Sequence, residues 1–154
     1  MLSRPTTQQI LLDCREELLH TLGPALAPGA ARIAMEMMEN VLRNCAARAA
    51  HEIAWMREEG DAMLEFAAHV SAAPCGGAEV SAALEAHATR ATDSLHLDAV
   101  TDAYGLASAC FEAALDAAMA AGDANLTASG RAILDVRLGH EMEIMGEWTM
   151  VGRA

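Results

Sequence analysis

Aromatic residues are nearly absent from this chain: two Phe, two Trp and one Tyr make up 3% of its 154 residues. A core must therefore be assembled from Ala, Leu, Met, Ile and Val, with small Ala faces allowing close helix approach and Met filling irregular gaps. Residues that favour strands are too scattered to form the runs that a sheet needs. Basic residues are scarce as well, 10 against 22 acidic ones, for a net charge of −12. That balance repels a phosphate backbone and speaks against nucleic-acid binding; an anionic membrane surface is disfavoured for the same reason. No uncharged apolar run reaches the ~18 residues of a membrane-crossing helix. The first ten residues, MLSRPTTQQI, lack the apolar centre of a secretory signal, so the expected location is the cytoplasm. Cys14, Cys45, Cys75 and Cys110 are far apart, with no C-x-x-C. They read as reduced, mostly buried thiols rather than a zinc site or a redox pair. No G-x-S-x-G elbow and no glycine-rich loop after a strand is present, which removes the common nucleophile and phosphate-cradle motifs.

What the chain does have is helix. Ala30–Glu59 contains no Gly or Pro and is dominated by Ala, Met, Glu, Arg and Leu. Ala34, Met38, Val41, Cys45, Ala49, Ile53 and Met56 recur along it at helical spacing. A second line, Ile33, Met37, Asn40, Asn44, Ala47, His51 and Trp55, mixes apolar residues with amides and an imidazole. Met35, Met37 and Met38 sit at steps of about 100°. They cannot share one core unless this helix is nearly surrounded, either centrally in a bundle or by a protein partner. Upstream, Thr6-x-x-Gln9 fits a capping box for a first helix, and Gly23-Pro24 reads as its stop. Downstream, Gly60-Asp61 ends or kinks the long helix, and Ala62–Ser71 continues as helix. Pro74-Cys75-Gly76-Gly77 is the strongest break. Helices over Ala78–Ala91, about Asp98–Ala121, and from a Thr127 cap onward complete the pattern. In the last, Ile133, Val136, His140, Ile144 and Trp148 share a face. The expected fold is all-α: a single domain over residues 1–154, an antiparallel bundle of five or six helices with the long second helix central.

Candidate sites are few. Glu17-x-x-His20 has no second copy, and His51-Glu52 and His140-Glu141 are adjacent pairs whose side chains point about 100° apart. No metal and no cofactor is expected. Asn40, Asn44, His51, His140 and Glu143 are the candidates for contacting a polar ligand. Imidazoles beside amides and a carboxylate can exchange protons near neutrality; the plainer reading is a set of satisfied core or interface groups. Trp55, Met56, Met145, Trp148 and Met150 are the candidates for a self-association or partner surface, because Trp and Met are enriched in interface cores. The alternative is that the two Trp plug the bundle end.

The segments RPTTQQILLDCREELLHTLGPAL and ARIAMEMMENVLRNCAARAAHE resemble the N-terminal part of a small bacterial all-helical family of unknown function. Its members occur beside, or fused to, aminoglycoside-phosphotransferase-like kinases and near acyl-CoA dehydrogenases. Arg4, Pro5 and Thr6, then Leu22, Pro24 and Leu26, then Asn40 and Leu42 carry the likeness. The family closes on an Asn-Pro pair, where this chain has MEIMGEWTMVGRA. The resemblance implies a helical accessory protein to a kinase-like or acyl-CoA-processing enzyme, and no catalytic residues. The expected function is thus a non-catalytic accessory or interaction subunit, with a protein partner or a homo-oligomer. The competing class is a small helical enzyme or ligand-binding bundle that uses His51 and His140.

Overall fold

The computed structural model describes residues 4–90 and 92–146. Among them every regular element is helical: α1 (Thr7–Glu17), a π-helical turn (Leu18–Leu22), α2 (Gly23–Ala25), α3 (Ala30–Ala72), α4 (Ala78–Ala88), α5 (Leu97–Ala120) and α6 (Ala124–Met145). The all-α expectation holds. The chain divides into two compact units, Met1–Glu52 with His140–Ala154, and Ile53–Gly139.

In the first unit the capping box forms as the sequence predicts: the Thr6 amide donates to Gln9 Oε1 at 2.9 Å and the Gln9 amide to Thr6 Oγ1 at 3.3 Å. Gly23-Pro24 does not stop the helix. Proline has no amide hydrogen, and its ring would strike the carbonyl four residues back. The turn before it widens to π geometry, in which the Gly23 amide donates to the Leu18 carbonyl, and helix resumes over Gly23–Ala25. Gly23 is buried, and a Cβ there would lie 3.2 Å from both the Leu18 carbonyl oxygen and Met35 Cε. Arg15 pairs with Glu39 across the same gap, so residue 15 meets 39 and residue 23 meets 35. The first helix and the start of α3 therefore run antiparallel.

The second unit holds the hydrophobic core. Met63, Phe66, Ala67 and Val70 of α3 pack with Val80 of α4, Ala107, Cys110, Phe111, Ala114 and Ala118 of α5, and Leu126 of α6. Glu59 meets Tyr104, Met63 meets Ser108 and Phe66 meets Phe111, a constant offset of 45 residues along parallel helices. The turn after α3 reverses the chain into α4. Leu115 and Tyr104 of α5 face Gly130 and Arg137 of α6, which returns antiparallel. Successive helices thus alternate in direction, the up-down-up-down solution for short connections. Phe66 and Phe111 lie 5.4 Å apart at 54°, a tilted aromatic pair at the core's centre. Burial pushes the Cys110 thiol pKa up. The expectation of mostly buried cysteines fails elsewhere: Cys14 and Cys45 are exposed and Cys75 is intermediate.

Gly60 does not end α3, which continues to Ala72. Burial against α5 offsets the weak helix propensity of glycine. A Cβ at Gly60 would sit 3.7 Å from Ala107 Cβ, an ordinary contact. The last helix also differs from expectation at its start. Asp123, not Thr127, caps it, its Oδ1 accepting from the amides of Asn125 and Leu126 at 3.0 Å each.

Gly60→Ala is expected to stabilise the chain by about 0.5–1 kcal/mol, because it adds helix propensity without a clash. Met63→Ala, at a fully buried position, is expected to lose about 2–5 kcal/mol. Urea denaturation of both variants checks this pair of signs; a loss on Gly60→Ala would mean that α3 and α5 approach more closely than described.

Candidate functional site

Polar residues of α3 converge on the last turn of α6 within the first unit. Arg43 Nη2 donates to the Met145 carbonyl at 2.8 Å and to Asn40 Oδ1 at 3.0 Å. The Asn40 amide donates back along its own helix to the Glu36 carbonyl at 3.0 Å. Asn44, with its amide oriented to satisfy both ends, donates to the Ile144 carbonyl at 2.8 Å and the Asn40 carbonyl at 3.3 Å. Gly146 follows in left-handed conformation, φ +60°, its amide donating to the Met142 carbonyl at 2.8 Å. The final carbonyls of a helix have no partner within it and carry the negative end of its dipole. A guanidinium and an amide from α3 satisfy them here.

Of the amides singled out as ligand candidates, Asn44 is thus engaged with this helix end and Asn40 with Glu36 and Arg43 of its own helix. His51 and His140 are half-buried in the same unit and both are already engaged with neighbours. Glu143 is exposed. Among the described residues no group of three or more His, Cys, Asp or Glu is placed to hold a metal ion. Arg43, which organises the cluster, was not among the sequence candidates. Gly146 just past the last helix was the available sign of a left-handed cap there.

The interface candidates separate. Trp55 and Met56 are half-buried in the second unit and Met145 is exposed in the first. Trp148 and Met150 lie outside the described residues. A larger apolar surface appears where the spacing had suggested an apolar helix line. Ala34, Met38, Val41, Cys45 and Ala49 all face outward, whereas in the part of α3 that belongs to the first unit Met35 and Ala46 are buried and Leu42 is half-buried. Met37, Met38 and Val41 are 58%, 57% and 59% exposed. On the first helix, α1 buries no residue at all, and Ile10 and Leu22 stand about half in water. The first unit joins its helices through the Gly23–Met35 contact, the Arg15–Glu39 pair and the polar cap on α6; Met35, Ala46 and Ile144 are its buried apolar residues, while Ile10, Leu22, Met37, Met38 and Val41 stand out. No helix among the described residues is long and apolar enough to cross a membrane. Comparison of the chain with protein-family models, curated proteins and solved structures found no match.

Asn44→Ala and Arg43→Ala are each expected to cost about 1–3 kcal/mol, the usual penalty for leaving partly buried carbonyls unsatisfied. They should also raise amide exchange in the last turn of α6. Equal stability and unchanged exchange in both variants would show that the cluster does not serve to close this helix.

Proposed function

We propose that this protein is a non-catalytic interaction subunit whose first unit is completed by another chain, a second copy being the simplest occupant. The observation that carries the reading is the outward line of α3. An exposed Leu or Met is unremarkable singly, but a run of large apolar side chains on one helix face marks an interaction surface. Full burial of such a side chain is worth about 1.5–3 kcal/mol. Met37, Met38 and Val41, each more than half in water, therefore leave roughly 3–5 kcal/mol per chain unrealised, or about 6–10 per pair. Association itself costs about 4–15 kcal/mol. The line on α3 needs further apolar area, and Ile10, Leu22 and Ile33 of the same unit, also exposed, supply it. The arrangement of the polar groups supports the same reading: Arg43 and Asn44 hold a helix end, and Asn40 braces Arg43.

A kinase-like or acyl-CoA-processing enzyme, as the family resemblance implies, is the other occupant of the same surface. Sedimentation equilibrium separates the two. The wild type is expected at about twice its 16.2 kDa at micromolar concentration, and Met37→Glu/Val41→Glu at the mass of a single chain with unchanged helicity. A wild type that stays monomeric at every concentration contradicts the second copy, and a double variant that stays dimeric contradicts the surface.

A further inference from the structure

The second unit contains a cleft of about 190 Å³ between the middle of α3, His87 of α4, the connection Thr92–Ser94 and the first half of α5. Its floor is apolar and small-featured, formed by Gly60, Leu64, Val100, Ala103 and Ala107. One wall is the ring of Tyr104. That ring is held on two sides: its hydroxyl donates to Glu59 Oε2 at 2.6 Å, a carboxylate only 8% exposed, and the Arg137 guanidinium lies 5.7 Å from its centroid. The cleft therefore has one fixed aromatic wall before any ligand arrives, which lowers the ordering cost of binding.

The rim carries charge of both signs. Arg57 and Asp61 of α3, His87 of α4 and Asp93 of the connection all line it. Their side chains make no hydrogen bond or ion pair with one another or with any other described residue. Arg57 and Asp61 stand four residues apart, but with the cation first, the less favourable order for pairing on a helix. A purely anionic ligand would meet Asp61 and Asp93 as like charges, and a purely cationic one would meet Arg57. A ligand bearing both an ammonium and a carboxylate on a short apolar body meets each group with its complement and lays its body on the apolar floor. A cavity of 150 Å³ accommodates benzene, with six heavy atoms, so the 190 Å³ here admits a molecule of about eight heavy atoms.

We propose that this cleft binds a small aliphatic zwitterion of amino-acid size, with its carboxylate toward Arg57 and His87 and its ammonium toward Asp61 and Asp93. The site is independent of the association surface on α3 and goes beyond the interaction role. Three probes of one shape test it: L-valine, isobutylamine and 3-methylbutanoate, titrated by calorimetry. Tyr104 is the only tyrosine in the chain, so its ring resonances report by NMR whether binding occurs at the cleft. The expected result is that L-valine binds at least tenfold more tightly than either singly charged analogue and shifts the Tyr104 signals. Arg57→Gln and Asp61→Asn, both at exposed positions that leave the fold intact, are expected to weaken it about tenfold or more each, the scale of a charge-assisted hydrogen bond. Absence of L-valine binding at millimolar concentration overturns the proposal. So does equal binding of a singly charged analogue, or binding that neither moves Tyr104 nor responds to the two variants.

Discussion

Apolar side chains have to leave water somewhere, and where they do so differs between the two units. In residues 53–139 they leave it within the chain, around Phe66 and Phe111, with alanines letting α5 settle closely against α3. In residues 4–52 the contacts that order the helices are largely polar. Arg15 reaches Glu39, Arg43 and Asn44 hold the end of α6, and the buried apolar residues are few: Met35 over Gly23, Ala46 and Ile144. Polar joints of this kind set geometry but contribute little net free energy, since each exchanges hydrogen bonds with water for hydrogen bonds within the protein. The proposed second copy follows from that imbalance. It would supply the burial that the first unit lacks, on the face where Met37, Met38 and Val41 stand out.

The same contrast organises the functional reading. Groups that carry chemistry in other proteins are present, but in the first unit they are engaged in structure. The half-buried histidines have neighbours, and the amides of Asn40 and Asn44 are bound to carbonyls. In the second unit, the buried Glu59 carboxylate and the Tyr104 hydroxyl satisfy each other, as buried polar groups must. The charged groups at the rim of the cleft, Arg57, Asp61, His87 and Asp93, make no ion pair with another described residue. Association and ligand binding would thus use different parts of one chain.

Local chemistry was legible in the sequence and pairing across distance was not. The Thr6–Gln9 capping box lies within four residues and forms as written, and Pro74-Cys75-Gly76-Gly77 breaks the helix as its composition demands. Gly23-Pro24 looked like a stop because propensity cannot show that a π-helical turn will absorb a proline. Gly60 looked like an end because the surface of α5 that buries it is 47 residues away in the chain, at Ala107. The buried face of α3 could not be picked out, for a compositional reason. An Ala- and Met-rich helix has apolar residues on every side, so helical spacing alone does not distinguish a face turned inward from one turned toward a partner. Asn44 resembled a ligand group because one of its partners, the Ile144 carbonyl, sits at the far end of the chain, as does the carbonyl that Arg43 meets 102 residues on; Asn40 is engaged within its own helix, by Glu36 and Arg43.

Cys45 gives the most direct test of the account. It lies on the outward line of α3 and is exposed in a single chain, whereas Cys110 is buried in the second unit. Alkylation of the native protein, read residue by residue by mass spectrometry over a range of protein concentrations, follows whether that line is covered. The account predicts that Cys45 reacts quickly in dilute solution and many-fold more slowly as concentration rises, while Cys110 stays unreactive throughout. A Cys45 rate that is the same at every concentration would contradict it.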